Sequence, residues 1–281
     1  MRQEIQEGDE VAFLSRHFVA LTFLYELTNV NGIRSHHSTV FSGFLLEVHG
    51  YYFWVTAGHC LKVLDALLVS KGIKVHGGSF MDSFAYGSVH KNAIPFQYET
   101  GCGFYLYQPE DGFDFALIPL NELQIRAFVA NNMVPVNRVN WVHQRDLSFD
   151  FYMMLGIPAD KVATSLDDDG MMTVTVRQSM VRIERIGLEN LGETPSDVEA
   201  APTDAWFIGR LSQGVSICDL KGMSGGPIYG FRRDGKGGLT YHVVALQSRW
   251  WNQSRTVFGC SVPLFAEQVY QRMGELMAEN T

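Results

Sequence analysis

The four cysteines of this 281-residue chain, Cys60, Cys102, Cys218 and Cys260, form no CxxC pair and no metal-ligand spacing. That excludes the closely spaced thiol motifs of zinc ribbons and thioredoxin-like redox proteins. Long apolar runs are missing as well. Residues 1–10 are polar and acidic, and the apolar stretch at 11–25 is interrupted by Arg16 and His17, so neither a signal peptide nor a membrane span is read there. Free, reduced thiols and a cytoplasmic location are therefore expected. Positive charge is scarce: a net charge of −8 argues against a general nucleic-acid binder, whose affinity comes from neutralising phosphates. Internal repeats and low-complexity segments are lacking, which removes solenoids and tail-like arrays. No His-Glu-x-x-His occurs, and the adjacent His36 and His37 would face opposite sides of a strand. No metal and no cofactor is therefore expected. His17, His49, His76, His90, His143 and His242 read as surface or packing residues.

Material for a core is present. With 46% hydrophobic and 19% charged residues, the chain suffices for one large domain or two small ones sharing a cleft. The spacing of Val11, Leu14, Phe18, Leu21 and Tyr25 predicts a helix over 7–26, with a docking surface for a partner as the sharper reading. Two β-rich runs at 40–49 and 51–56 flank Gly50 and predict a hairpin. A short helix comes next at 61–69, then short strands and loops over 72–103. An apolar strand at 113–120 carries Asp114 at its mouth. A helix or loop at 121–131 separates the halves.

The second half resumes β patterning at 149–154, 171–176, 180–186, 205–210, 228–231, 239–246 and 256–262. Asp167-Asp168-Asp169-Gly170 reads as a hairpin turn, because its acids lack calcium-loop spacing. Residues 189–204 are polar and read as a surface loop, and the glycine turn within 232–238 as a hairpin. Phe265, Val269, Met273 and Met277 recur every fourth residue and predict a C-terminal helix. Many short strands and few helices predict an all-β protein, most simply a pair of barrels.

Three stretches carry chemistry. Gly222-Met223-Ser224-Gly225-Gly226-Pro227 holds a serine among glycines, where a hydroxyl can act as nucleophile beside exposed backbone N–H groups. His59 comes after a strand in Thr56-Ala57-Gly58-His59-Cys60, and Asp114 opens Asp114-Phe115-Ala116-Leu117-Ile118. Each alone has a bland reading: a glycine turn, a structural histidine, a turn-capping acid. In the order His59, Asp114, Ser224 they resemble the trypsin-like serine peptidases, over roughly residues 38–271.

The resemblance implies two six-stranded antiparallel β-barrels with the site between them. The expected domains are an N-terminal helical extension (1–35), a first barrel with His59 and Asp114 (36–130), a second with Ser224 and the specificity pocket (131–262), and a C-terminal helix (263–281). It implies Ser224 as nucleophile, His59 as base, Asp114 as the acid that orients it, and the N–H groups of Gly222 and Ser224 as oxyanion hole. Phe41-Ser42-Gly43 stands where secreted members carry a cysteine, so Cys60 has no partner there. Met223 replaces the aspartate that pairs with a newly cut N-terminus, and activation by cleavage is not expected.

Six residues before Ser224, where trypsin has its pocket aspartate, stands Cys218, with Asp219 beside it. A pocket drawn from Cys218, Asp219, Ala245, Leu246, Gln247 and Gly259 would take small or medium apolar side chains. The function expected is a serine endopeptidase acting on protein or peptide substrates through an acyl-enzyme, gated by a regulatory partner or ligand. The alternative is a protein-binding module of the same fold with latent or dispensable hydrolysis. An α/β-hydrolase esterase fits poorly, because it uses Gly-x-Ser-x-Gly with the serine first in chain order.

Overall fold

The computed structural model describes residues 10–84, 93–141, 148–169, 172–191, 206–212, 219–233 and 238–279. The described residues open with a short helix α1 (Glu10–Leu14) and a 3-10 turn at Ser15–His17. The helix expected over 7–26 stops there. Ala20–Thr28 is strand β1, hydrogen-bonded on both sides, to β2 (Arg34–Phe41) and to β5 (Ile73–Met81). The reason lies in the residues: Leu21, Phe23, Tyr25 and Leu27 also alternate with period two, and Thr22, Phe23, Tyr25 and Thr28 favour strands. Pairing with two neighbours decided between the two periodicities.

β3 (Phe44–Val48) and β4 (Tyr51–Thr56) form the expected hairpin, turning through His49 (φ 52°) and Gly50 (φ 81°). Positive φ at both central residues suits the right-handed twist of such a hairpin. Helix α2 (Gly58–Val69) is next, then β5, β6 (Ile94–Phe96), β7 (Phe104–Gln108) and β8 (Phe113–Pro119). These strands make two four-stranded antiparallel sheets, β2-β1-β5-β6 and β3-β4-β8-β7. A closed first barrel is not formed among the described residues. The chain breaks its pairing at Ser42-Gly43, between β2 and β3, where the Gly43 backbone lies tight under Trp54.

α3 (Glu122–Ala130) begins with a capping box: Asn121 Oδ1 accepts from Gln124 N, and Gln124 Oε1 accepts from Asn121 N, both at 3.0 Å. A single turn α4 (Arg138–Trp141) leads to the second half: β9 (Phe151–Gly156), β10 (Val162–Leu166), β11 (Met172–Val176), β12 (Ser179–Arg185), β13 (Trp206–Leu211), β14 (Pro227–Arg233), β15 (Leu239–Trp251) and β16 (Thr256–Ser261). Six of these close into a barrel in the order β12-β13-β16-β15-β14-β9, and β10-β11 stands apart as a hairpin. Most of the loop at 189–204, residues 170–171 and most of the 232–238 turn lie outside the described residues, as do His90 and His143.

α5 (Val262–Glu279) is the C-terminal helix the four-residue spacing predicts. Its buried Phe265 stacks on Phe115 of β8 at 4.5 Å, so the helix ties the halves together. At the other end, buried His17 places Nε2 2.7 Å from the Tyr241 hydroxyl of β15, and Nδ1 on the Val134 carbonyl. The Val134 carbonyl can only accept, so Nδ1 carries the proton and Nε2 accepts from Tyr241. Burial first, then Arg16, lowers the His17 pKa to about 3, and it stays a neutral strut. No helix among the described residues is long and apolar enough to cross a membrane.

Candidate active site

His59 is the second residue of α2, three residues past the end of β4. Asp114 is the second residue of β8, which pairs with β4. Its carboxylate is fully buried and faces the start of the helix: Oδ1 accepts the His59 backbone N–H at 2.9 Å, and Oδ2 accepts from His59 Nδ1 at 2.8 Å. One acid thus caps the helix N-terminus and fixes the imidazole. A third donor comes from the other half, the Ser248 hydroxyl of β15 on Asp114 Oδ2.

Ser248 was not singled out by sequence reasoning. It is the extra residue of a β-bulge, where the β15–β16 register passes from Gln247↔Gly259 to Arg249↔Phe258. A bulge re-aims a side chain, and here it turns the Ser248 hydroxyl onto Asp114. The only signal in the sequence is a serine ending an apolar strand, which announces nothing by itself.

The Ser224 turn is held on every side. Gly225 N–H donates to Gln247 O at 2.7 Å, and Gln247 N–H returns a bond to Gly226 O at 2.8 Å. Met223 is fully buried in the barrel core and anchors the turn from within, so an ion pair at this position is not what holds it. Gly222 (φ 93°) and Gly225 (φ 89°) take the left-handed conformations that glycine permits. Ser42 reaches across from the first half: its hydroxyl donates to Gly222 O at 3.2 Å and accepts from Ile157 N at 2.9 Å. A pair of hydrogen bonds thus spans the halves at the site where the resemblance places a cysteine, and Cys60 is a free, buried thiol.

His59 and Ser224 line one cleft of about 570 Å³ between the halves, with His36, His37, Lys221 and Gly222 among its walls. Ser224 Oγ donates a long bond, 3.4 Å, to the carbonyl of Ser248, the residue whose hydroxyl bonds Asp114. The N–H groups of Gly222 and Ser224 have no acceptor among the described residues. Burial is the largest single influence on His59 and works against charge, but the hydrogen bonds and charges of Asp114 and Cys60 together outweigh it, and the pKa is raised. On Asp114 burial favours the neutral acid. The hydrogen bonds and charge of His59 outweigh burial, with Ser248 helping, and the pKa is lowered.

Of the residues expected to form a specificity pocket, Asp219, Ala245, Leu246, Gln247 and Gly259 are not among the walls of this cleft. Ala245, Leu246 and Gln247 are buried in the wall of the barrel with Gly259, the cross-strand neighbour of Gln247. Asp219 is exposed and accepts from Lys221 N at 2.9 Å. Cys218 lies outside the described residues.

No family model matches the sequence, and no curated protein matches it either. Among solved structures the chain is similar to proteases. It shares 16% identity with the protease Anisep from Arthrobacter nicotinovorans, over 88% of this chain and 90% of that one, at a TM-score of 0.44. It shares 15% identity with the thermostable serine protease AL20 from an extremophilic microorganism, over 92% and 97%, at a TM-score of 0.47. At such identities, chemistry is decided by the side chains of the cleft.

Proposed function

We propose that the chain is a serine endopeptidase in which Ser224 is the nucleophile, His59 the general base and Asp114 the acid that orients it. The observation that carries this reading is the Asp114 carboxylate, buried and bonded to both His59 Nδ1 and the Ser248 hydroxyl. Asp114 can only accept from Nδ1 while ionised, so the hydrogen bond dictates the tautomer: Nδ1 carries the proton and Nε2 holds the lone pair. A rotation of Ser224 Oγ away from Ser248 O would hand its proton to Nε2. The oxygen would then attack a carbonyl carbon in the cleft. Gly222 and Ser224 N–H would receive the charge that develops on the carbonyl oxygen. Protonated His59, stabilised by Asp114, would return the proton to the leaving amine. Water would repeat the sequence on the acyl-enzyme.

The long Ser224 Oγ–Ser248 O contact favours a second reading, a resting state. There a partner or ligand that turns Ser224 toward His59 would gate hydrolysis, and the resting protein would act as a binding module. A fluorophosphonate probe separates the two. Labelling of the isolated chain, lost in Ser224→Ala and His59→Ala, is the result expected of a competent peptidase. An unlabelled wild-type chain would establish the resting state and direct the search to what releases it.

The pH profile carries a further expectation. The base acts as neutral imidazole, so kcat/KM rises with pH as His59 loses its proton. Because Asp114 raises the His59 pKa, the midpoint of that limb lies above the ordinary histidine value of 6.5. A midpoint at or below 6.5 would mean that Asp114 does not outweigh burial at His59.

A further inference from the structure

We infer that Glu26, His36 and His76 form a binding site for a divalent late transition cation, with Zn²⁺ as its representative. The three residues come from three adjacent strands. Glu26 on β1 is the direct cross-strand partner of His36 on β2. On the other side of β1 the register passes from Leu24↔Gly77 to Tyr25↔Val75, so His76 is the extra residue of a bulge in β5. The bulge re-aims His76, and its ring centroid lies 6.3 Å from that of His36. One ligand atom from each residue falls within 4.8 Å of the other two. Four-coordinate zinc with bonds of ~2.0–2.1 Å needs donors about 3.4 Å apart. Both histidines are exposed, so their side chains are free to close the remainder.

The donors are not otherwise engaged in a way that would block an ion. His17, His37, His49 and His59 each hydrogen-bond a neighbour. The His36 and His76 rings have no hydrogen-bond partner among the described residues. Arg34 Nε lies 3.6 Å from Glu26 Oε1, but Arg34 is exposed, and an exposed pair of this length contributes little. Lys74, opposite Glu26 on β5, is the other cation beside the site. Two imidazoles and one carboxylate suit Zn²⁺, Cu²⁺, Ni²⁺ or Co²⁺ rather than Mg²⁺ or Ca²⁺. Three protein ligands leave a fourth position for water or an incoming group. His36 also lines the cleft that holds His59 and Ser224, so the ion would stand at the rim of that cleft.

The sequence hides this site. His36 and His37 are adjacent and do face apart, and the partner that matters for His36 lies across the sheet in Glu26. The test needs no peptidase activity. The chelator-treated full-length chain is titrated with Zn²⁺ by calorimetry and with Co²⁺ in the visible range. One ion per chain is expected, with the intense bands of four-coordinate Co²⁺, and no binding of Mg²⁺ or Ca²⁺. His36→Ala, His76→Ala and Glu26→Gln should each weaken binding by at least the roughly 10–100-fold that loss of an outer-shell partner costs. Their far-UV dichroism and metal-free melting should match the wild type. Zn²⁺ binding that persists unchanged in His36→Ala and His76→Ala would place the ion elsewhere and overturn the assignment. So would a wild-type Co²⁺ spectrum with only the weak bands of an octahedral ion, a readout that needs no variant.

Discussion

Ser224→Ala is expected to lower kcat on a peptide substrate by roughly 10⁶-fold, and Asp114→Asn by roughly 10⁴-fold, with little change in KM for either. The two losses have different causes. Removing Oγ would delete the atom proposed to form the acyl-enzyme, and what would remain is binding and the backbone donors. Replacing Asp114 keeps an isosteric group in a fully buried position. An amide nitrogen facing Nδ1 would be a donor, so Nδ1 must present its lone pair and Nε2 its proton. His59 would then have no lone pair to offer Ser224. The Ser248 hydroxyl also donates to Asp114, and it would have to choose between the amide oxygen and another partner. The split between kcat and KM is measured on a peptide that the wild type cleaves. Equal loss in both variants, or a KM effect alone, would mean that Asp114 supports the fold of the site rather than the proton transfer.

The chemistry-bearing stretches were legible because each is short, contiguous and tied to a turn. A strand into His59, a strand opening on Asp114 and a glycine turn around Ser224 are all local patterns. So is the His49-Gly50 hairpin, where two positive φ angles arise from residue type. Features that depend on what pairs with what were hidden. The helical spacing from Val11 to Tyr25 gave way to β1, because β2 and β5 offer hydrogen bonds on both sides that no single-chain periodicity reveals. Ser248 acquires its role from a bulge, and Ser42 from standing where the two halves meet. In the sequence Ser42 is only a missing cysteine. In the fold it links Gly222 to Ile157 and so holds the turn that carries Ser224. Of the residues assigned to a specificity pocket, Cys218 and Asp219 were placed by counting along the chain, and Gln247 by the resemblance of its strand. Neither shows that Leu246 and Gln247 are buried.

The same turn yields the largest expected effect on stability. Gly225→Ala should cost about 2–6 kcal/mol, as the sum of ~1–3 for a left-handed backbone at a residue with a Cβ and ~1–3 for overpacking. Gly225 has φ 89°, and a Cβ there would run into Thr56 Oγ1 and the Ser42 carbonyl oxygen. Neither can step aside. Thr56 Oγ1 donates to Ser42 O at 2.8 Å, and both residues are fully buried. For a domain of this size each kcal/mol lowers the melting temperature by about 2–4 °C, so the variant should melt roughly 4–24 °C early. Gly50→Ala is the control: its φ of 81° carries the same backbone cost, but open space surrounds the added methyl. The difference between the two variants isolates the contact with Ser42 and Thr56. If Gly225→Ala melts no earlier than Gly50→Ala, the first half yields at this contact. The close fit of Ser42, Thr56 and the Ser224 turn would then not be what positions the nucleophile.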